Sequence, residues 1–177
     1  MGVKFVFGDL LKLRDVDAII HQVNCLCVKA HGLPKQIVDS FPWADIYSNR
    51  RAEGNRNLAI VEDRGIPGTI QVFKSQETLR PDIVCFLSQW DFGTPDQAYR
   101  HISPYKDTRE NRIVWFRQCL EQLKSLNIKS IGIPYQISCG LGGGDWTAYF
   151  NIIRTFAESS NIECHIVRPH FHNGYRN

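Results

Sequence analysis

The sequence predicts an α/β fold in which a mixed, largely parallel central sheet is flanked by helices. Short apolar runs alternate with longer segments in which apolar residues recur at helical spacing, the pattern of strand–helix–strand units. Residues 17–23 (DAIIHQV) form a nearly continuous apolar run, which is typical of a strand buried on both faces. Residues 140–144 (GLGGG) form a glycine-rich turn from a predicted strand into a predicted helix.

The bulk composition is that of one soluble globular domain. The chain has 177 residues, of which 43% are hydrophobic and 22% are charged. No apolar run is long enough to span a bilayer, and the first ten residues enter a strand pattern without the shape of a signal peptide. We therefore expect a cytoplasmic or nuclear protein without a membrane partner.

The net charge and the spacing of the cysteines indicate which ligands and metals to expect. The net charge of +3 favours an anionic ligand slightly and is too small to indicate nucleic acid. The six cysteines are scattered without a CxxC pair and mostly lie in apolar surroundings, which indicates reduced, buried thiols rather than disulfides or zinc ligands. We expect no metal site and no cofactor.

The first half of the chain predicts four strands, a short helix and a second helical piece. A strand at 4–7 ends at Gly8-Asp9, and the buried strand at 17–23 leads into a loop at 24–32. A helix at 33–41 follows, with Pro34 acceptable in its first turn. We also expect helical structure at 43–53, ended by the GNRN segment, and paired strands at 58–61 and 69–73 around a GIPG turn.

The second half contains the clearest helix. A buried strand is predicted at 82–87, followed by an irregular stretch at 89–107 that is a lid or an insertion. Thr108 gives a partial N-cap signal for a helix at 108–126, where Ile113, Phe116, Leu120 and Leu123 fall at helical spacing. A strand at 130–133, a helix at 146–158, a strand at 162–167 and a polar tail from 169 complete the chain.

The turn at 140–144 is the strongest candidate binding element. Glycine lets the backbone approach a ligand closely, and a turn that opens a helix presents N–H groups to an anion such as phosphate. The alternative is a tight connection that binds nothing. Walker loops end in Gly-Lys-Ser/Thr, which is absent here, and Asp145 stands where a dinucleotide fingerprint has its third glycine. We therefore expect a phosphate or diphosphate loop of a third kind.

Polar residues at predicted strand ends are further candidates, each with a structural alternative. Asp9 could hold an amino group such as that of adenine, or cap a turn. Asn24 could hold a ribose hydroxyl, or satisfy the loop backbone. The loops that contain Asp9, Asn24 and the glycine-rich turn all leave strand ends, so we expect them to share one cleft.

Four titratable residues are candidates for chemistry. His31 lies in a loop and suits proton transfer near neutral pH, whereas His21 lies in an apolar run where a core role is common. Asp145 begins a helix, where a carboxylate caps backbone N–H groups, so capping and catalysis are both open. Cys139 could be a nucleophile, although its small neighbours favour a packing role.

Four stretches together resemble the macrodomain, the ADP-ribose-binding module. They are residues 8–10 (GDL), 17–24 (DAIIHQVN), 30–33 (AHGL) and 133–146 (IPYQISCGLGGGDW), and they span nearly the whole chain. The last stretch is most similar to the branch of small stand-alone phage, viral and fungal members, some of which are ADP-ribose 1''-phosphate phosphatases. The resemblance implies a three-layer macrodomain fold over residues 1–168, with 169–177 as a tail.

The resemblance also implies a role for each matched residue. Asp9 would hold the adenine amine, Leu10 would supply a nearby backbone contact, Asn24 would face the distal ribose, and Gly32 would face the ribose and phosphates. The backbone amides that would wrap the diphosphate belong to Ser138, Cys139, Gly140, Leu141, Gly142, Gly143 and Gly144. A histidine at the position of His21 occurs in fungal phosphatase-like members.

Two departures from the family pattern bear on catalysis. Ala30-His31 replaces the first two glycines of the ribose loop. Gly142 stands where some de-ADP-ribosylating relatives have an aspartate, and their catalytic lysine matches no residue here. The remaining candidates for proton transfer are His31, His21 and Asp145.

The leading hypothesis is a protein that binds ADP-ribose and hydrolyses a substituent on its distal ribose, with ADP-ribose 1''-phosphate as the preferred substrate. One alternative is a non-catalytic reader of ADP-ribose or of ADP-ribosylated protein. Another is a hydrolase that removes ADP-ribose from protein or nucleic acid.

Overall fold

A computed structural model describes residues 2–95 and 101–170 and shows one six-stranded sheet with three α-helices. The strands are β1 (Val3–Phe7), β2 (Ala18–Asn24), β3 (Thr69–Phe73), β4 (Asp82–Gln89), β5 (Ser130–Pro134) and β6 (Glu163–Arg168). The helices are α1 (Gly32–Ser40), α2 (Arg109–Leu123) and α3 (Trp146–Ser159). The strand order is β1-β6-β5-β2-β4-β3, and only the β3–β4 pairing is antiparallel. The prediction of a mixed, largely parallel sheet is confirmed.

Three layers result from the alternation of side chains along β2. Ala18 and Ile20 pack in a cluster with residues of α2 and α3, whereas Ile19 packs with Ile37 of α1. Successive strand residues point to opposite faces of a sheet, so α2 and α3 cover one face and α1 covers the other. Ala18, Ile19 and Ile20 are fully buried, which explains why the first three residues of the strand are all apolar.

Both longer helices begin at a side-chain cap. The Thr108 hydroxyl accepts a hydrogen bond from Asn111 N (3.0 Å), which confirms the N-cap predicted for α2. The Asp145 carboxylate accepts one from Thr147 N (3.0 Å) at the start of α3.

The helix predicted at 43–53 was wrong. A 3₁₀ turn at Pro42–Ala44 is followed by irregular chain. The Asp45 carboxylate accepts hydrogen bonds from Tyr47 N (2.9 Å) and Ser48 N (3.1 Å), a local alternative to helical hydrogen bonding. The Arg50 guanidinium donates to the carbonyl oxygens of Asn24 and Cys27, so this segment supports the loop after β2.

The predicted pairing of a strand at 58–61 with a strand at 69–73 was also wrong. Residues 69–73 form β3, which pairs with β4 instead. Residues 58–61 contribute only an isolated bridge, between Ala52 and Ala59. Ala59 N donates to Leu26 O (2.7 Å), so the backbone at 58–61 is used to hold the loop after β2.

The described parts of the 89–107 stretch are irregular beyond the end of β4, as expected. Residues 96–100 of that stretch and most of the predicted tail, 171–177, lie outside the described residues. Among the helices in the described ranges, none has the length and hydropathy required to cross a bilayer.

Candidate ligand-binding cleft

A cavity of about 360 Å³ opens at the carboxyl ends of β2, β4 and β5. Among its lining residues are Gln22, Asn24, His31, Gly32, Gln89, Tyr135, Ser138, Gly140, Leu141 and Gly142. The chain after β2 leads to α1 on one face of the sheet, and the chain after β5 leads to α3 on the other. Such a divergence leaves a crevice at strand ends, the usual ligand site of an open α/β sheet.

The glycine-rich loop offers backbone donors to this cavity. Gly143 N donates to Gly140 O (3.0 Å) and Gly144 N donates to Ser138 O (2.9 Å), so these two amides are used within the loop. Across residues 2–95 and 101–170, no acceptor is found for the amides of Gly140, Leu141 and Gly142. All three residues line the cavity. Successive free N–H groups form a concavity that suits an anion.

Two of the loop glycines are required for a steric reason. A Cβ at Gly142 would lie 2.9 Å from Ser138 O, and one at Gly144 would lie 2.7 Å from the same oxygen. These two glycines are therefore required by the fold of the loop itself. A Cβ at Gly140 would meet nothing within 4 Å, because this residue faces open space.

Asn24, the last residue of β2, also lines the cavity. Its Oδ1 accepts hydrogen bonds from Leu26 N (3.1 Å) and Cys27 N (2.8 Å), and its backbone N donates to the Tyr47 hydroxyl (3.1 Å). The backbone role considered for Asn24 is thus filled by its oxygen. Within the described chain no acceptor is found for Asn24 Nδ2.

His31 and Gly32 lie on the rim, opposite the glycine-rich loop. His31 is the N-cap residue of α1 and its side chain makes no capping hydrogen bond. Gly32 has a φ of +59°, and a Cβ there would lie 3.5 Å from Leu141 Cδ1, so the two loops approach each other at this point. The His31 ring lines the cavity, where its Nε2 lies 3.3 Å from Asn57 Nδ2.

His21 lies in the core, the alternative considered for a histidine in an apolar run. It is 1% exposed, and its Nε2 lies 3.2 Å from Cys85 Sγ on the adjacent strand β4. Burial lowers the pKa of His21 from 6.5 to about 3, so the imidazole is neutral at physiological pH. Its Nδ1 is buried without a hydrogen-bond partner.

Asp145 and Cys139 also lie outside the lining of the cavity. The Asp145 carboxylate caps α3, the structural role considered for it. Burial, with a smaller effect of the Asp145 charge, raises the pKa of the Cys139 thiol to about 11. Cys139 Sγ donates to Ile137 O and its backbone N donates to Gln136 O (2.9 Å). A protonated thiol and an engaged amide fit packing better than nucleophilic attack or phosphate binding.

Asp9 and Leu10 are separate from this cavity as well. Asp9 Oδ1 accepts a hydrogen bond from Leu11 N (2.9 Å) and so caps a 3₁₀ turn, Leu10–Lys12. Leu10 is 7% exposed and packs in the core on the α1 side. The adenine role of these two residues remains a prediction.

Sequence reasoning missed a polar network beneath the glycine-rich loop. Gln22 Oε1 accepts hydrogen bonds from the hydroxyls of Ser88 (2.8 Å) and Ser138, and Gln22 Nε2 donates to Gln89 Oε1 (2.7 Å). Gln89 Nε2 in turn donates to Asp91 O (2.7 Å). The available signal was a glutamine close to the end of an otherwise apolar strand.

Sequence reasoning also missed Arg112, which joins three segments around the cleft. Its guanidinium forms a bidentate pair with the Asp107 carboxylate (2.6 and 2.8 Å), and both side chains are less than 10% exposed. It also donates to the carbonyl oxygens of Gly93 (2.8 Å), Asp91 (3.2 Å) and Gly142 (3.2 Å). Helical periodicity gives no signal for this role, because an arginine on a helix is usually exposed.

No protein-family model matches the sequence, and no curated protein matches it either. Solved structures do match. The macrodomain of Mycobacterium tuberculosis DarG superposes with a TM-score of 0.64 at 21% identity, over 96% of this chain and 100% of that one. The macrodomain of Thermus aquaticus DarG gives a TM-score of 0.59 at 21% identity, over 94% and 98% of the two chains. This chain has the macrodomain fold.

A third structure with the macrodomain fold was solved with a ligand. Thermosipho africanus DarTG in complex with ADP-ribose matches with a TM-score of 0.62 at 20% identity, over 94% of this chain and 41% of that chain. At this level of identity the likeness establishes the macrodomain fold, and function must be argued from the cleft itself.

Proposed function

We propose that this protein binds ADP-ribose in the cleft between the glycine-rich loop and the His31 loop, and that it hydrolyses a substituent on the distal ribose. ADP-ribose 1''-phosphate is the first substrate to test. The observation that carries the binding proposal is the set of three free amides, at Gly140, Leu141 and Gly142, that line the cavity.

A diphosphate suits these amides for electrostatic reasons. Three N–H dipoles can neutralise part of a double negative charge without a buried cation, and the folded loop holds them in place before a ligand arrives. The cavity volume of about 360 Å³ lies in the range of small-molecule sites. The presence of ADP-ribose in a structure of the same fold supports the choice of this diphosphate over others.

The distal ribose would then lie toward Asn24 and His31. Asn24 Nδ2 would donate to a ribose hydroxyl. In phosphate hydrolysis, water adds to phosphorus as the bond from phosphorus to the ribose oxygen breaks, and that oxygen leaves with a proton. His31 is the histidine that lines the cavity, so it is our candidate for the hydrogen-bonding or proton-transfer group at this end.

Calorimetric titration with ADP-ribose tests binding, with the variant Gly140→Asp as the probe. A Cβ at position 140 would meet no protein atom within 4 Å, so we expect the fold to be retained while a carboxylate is placed at the proposed anion site. We expect affinity for ADP-ribose to fall tenfold or more, the equivalent of about 1.4 kcal/mol. Gly2→Asp is the matched control, because Gly2 is equally open and lies at the opposite end of the strands. Equal affinity of Gly140→Asp and the native protein would place the ligand elsewhere.

Turnover is tested separately by measuring phosphate release from ADP-ribose 1''-phosphate, and ADP-ribose release from ADP-ribosylated protein and DNA. Phosphate release would support the phosphatase. Release of ADP-ribose would support the alternative hydrolase. If the protein binds ADP-ribose but releases neither phosphate nor ADP-ribose, the result would support a non-catalytic reader of ADP-ribose.

A further inference from the structure

The orientation of the Asn57 carboxamide is fixed by the loop that precedes His31. Asn57 Oδ1 accepts hydrogen bonds from two successive backbone amides, Val28 N (2.9 Å) and Lys29 N (2.9 Å). If the carboxamide were rotated by 180°, its NH₂ group would face two N–H donors and both amides would lose their acceptor. The oxygen is therefore on the backbone side, and Nδ2 is the atom that faces His31.

This orientation determines which nitrogen of His31 carries the proton. Asn57 Nδ2 can only donate, and it lies 3.3 Å from His31 Nε2. In a neutral imidazole one ring nitrogen donates and the other accepts. Nε2 must be the acceptor, so the proton of the neutral ring lies on Nδ1.

We propose that Asn57 is a positioning residue that holds His31 in its Nδ1–H tautomer. His31 then presents an N–H donor to the distal ribose or to the group attached to it, rather than a lone pair. Its role in turnover, which rests on the proposed function, is to donate a hydrogen bond to the departing group and not to remove a proton from water.

Two structural features make this arrangement specific. The Val28 and Lys29 amides lie three and two positions before His31, so one carboxamide orders both the backbone of the loop and the imidazole at its end. The side chain of His31 makes no capping hydrogen bond to α1, so no competing donor from the helix turns the ring. Asn57 lies in the irregular segment at 45–60, which also supports this loop through Arg50 and Ala59.

Nitrogen-15 NMR of the imidazole rings in the full chain measures the tautomer directly, at a pH where the rings are neutral. The His31 signals are assigned by their loss in His31→Ala. We expect the unprotonated type of shift at Nε2 and the protonated type at Nδ1, with an excess of about fivefold, the equivalent of about 1 kcal/mol. A protonated Nε2, or equal populations, would overturn the proposal. The measurement needs no ligand, so it is independent of the proposed function.

Asn57→Asp is the informative variant. One carboxylate oxygen can still accept from Val28 N and Lys29 N, while the other places an acceptor at His31 Nε2 and should move the proton to that nitrogen. We expect the tautomer ratio to invert and the maximal rate of phosphate release to fall at least fivefold, with KM nearly unchanged.

Two further outcomes separate the parts of the proposal. Inversion of the tautomer with an unchanged rate would refute the donor role of His31 and leave the positioning role of Asn57. A native protein that shows the expected tautomer but hydrolyses none of the three substrates would refute the proposed catalysis alone. If Asn57→Asp folds poorly, the spectrum of the native protein still decides the tautomer.

Discussion

Arg112 is expected to be the residue on which both the stability of the fold and the shape of the cleft depend most strongly. Its guanidinium pairs with the Asp107 carboxylate at 2.6 and 2.8 Å, and both side chains are almost inaccessible, at 4% and 9% exposure. Replacing Arg112 with methionine keeps the length of the side chain and leaves that carboxylate buried without its partner. Loss of one member of a buried pair costs about 3–5 kcal/mol.

The magnitude is large compared with the whole stability of a domain, which is about 5–15 kcal/mol. The variant also leaves the carbonyl oxygens of Gly93, Asp91 and Gly142 without the guanidinium. For a chain of this length a loss of 1 kcal/mol lowers the Tm by about 2–4 °C, so we expect Arg112→Met to lower the Tm by roughly 6–20 °C. Affinity for ADP-ribose should fall as well, because Gly142 belongs to the proposed anion site.

Thermal and urea unfolding followed by circular dichroism would measure this effect. Arg117→Met is the matched control, since Arg117 is exposed on the same helix, and it should change stability by less than about 0.5 kcal/mol. Adding Asp107→Asn to Arg112→Met should recover part of the loss by removing the buried charge. A loss below about 1 kcal/mol for Arg112→Met, or no recovery in the double variant, would refute this account of the pair.

Three further predictions concern the glycine-rich loop and the buried histidine. Gly142→Ala should lower stability by about 1–3 kcal/mol because the new Cβ would lie 2.9 Å from Ser138 O, whereas Gly140→Ala should be nearly neutral in the same unfolding assay. Cys139→Ala should retain ligand affinity and turnover, and the native Cys139 should react slowly with iodoacetamide at pH 7, because its thiol has a pKa of about 11. The pKa of His21 is about 3 when folded and ordinarily 6.5, so below pH 6.5 the unfolded state binds a proton that the folded state does not. Stability should therefore fall by about 1.4 kcal/mol per pH unit from pH 6.5 toward 3, and His21→Phe should remove that part of the acid sensitivity.

The sheet was predictable because its signals are local. The apolar residues before Asn24 and the helical spacing that begins after Thr108 each lie within one element. A strand that is buried on both faces is rich in apolar residues, whereas a helix that is buried on one face has apolar residues at helical spacing. The helix and the strand predicted within residues 43–61 were wrong because the structure of this segment depends on contacts that are distant in sequence. Its polar side chains and backbone groups bond a loop about 25 residues earlier in the chain, and no local pattern records such a partner.

The candidate site also has features that the sequence predicted and features that only the folded structure shows. The glycine-rich turn could be predicted to bind an anion because four glycines in five positions exceed what a connection needs. The sequence could not show that only the amides of Gly140, Leu141 and Gly142 remain free there, because that depends on which carbonyl oxygens the folded loop turns toward. The sequence favoured His31 over His21 only because His31 lies in a loop. That His21 is 1% exposed follows from the helices that cover the sheet.

What the sequence by itself determined is therefore the places of the six strands and three α-helices along the chain, the capped start of α2 and the position of the glycine-rich loop between β5 and α3. These features follow from the periodicity of apolar residues and from the backbone freedom of glycine, which are properties of neighbouring residues. Only the tertiary structure decided that Asn57 meets His31 and that Arg112 holds Asp107 and Gly142. Those contacts join residues that are distant in sequence, and a side chain finds such a partner only when the packed layers fix its position and exclude water.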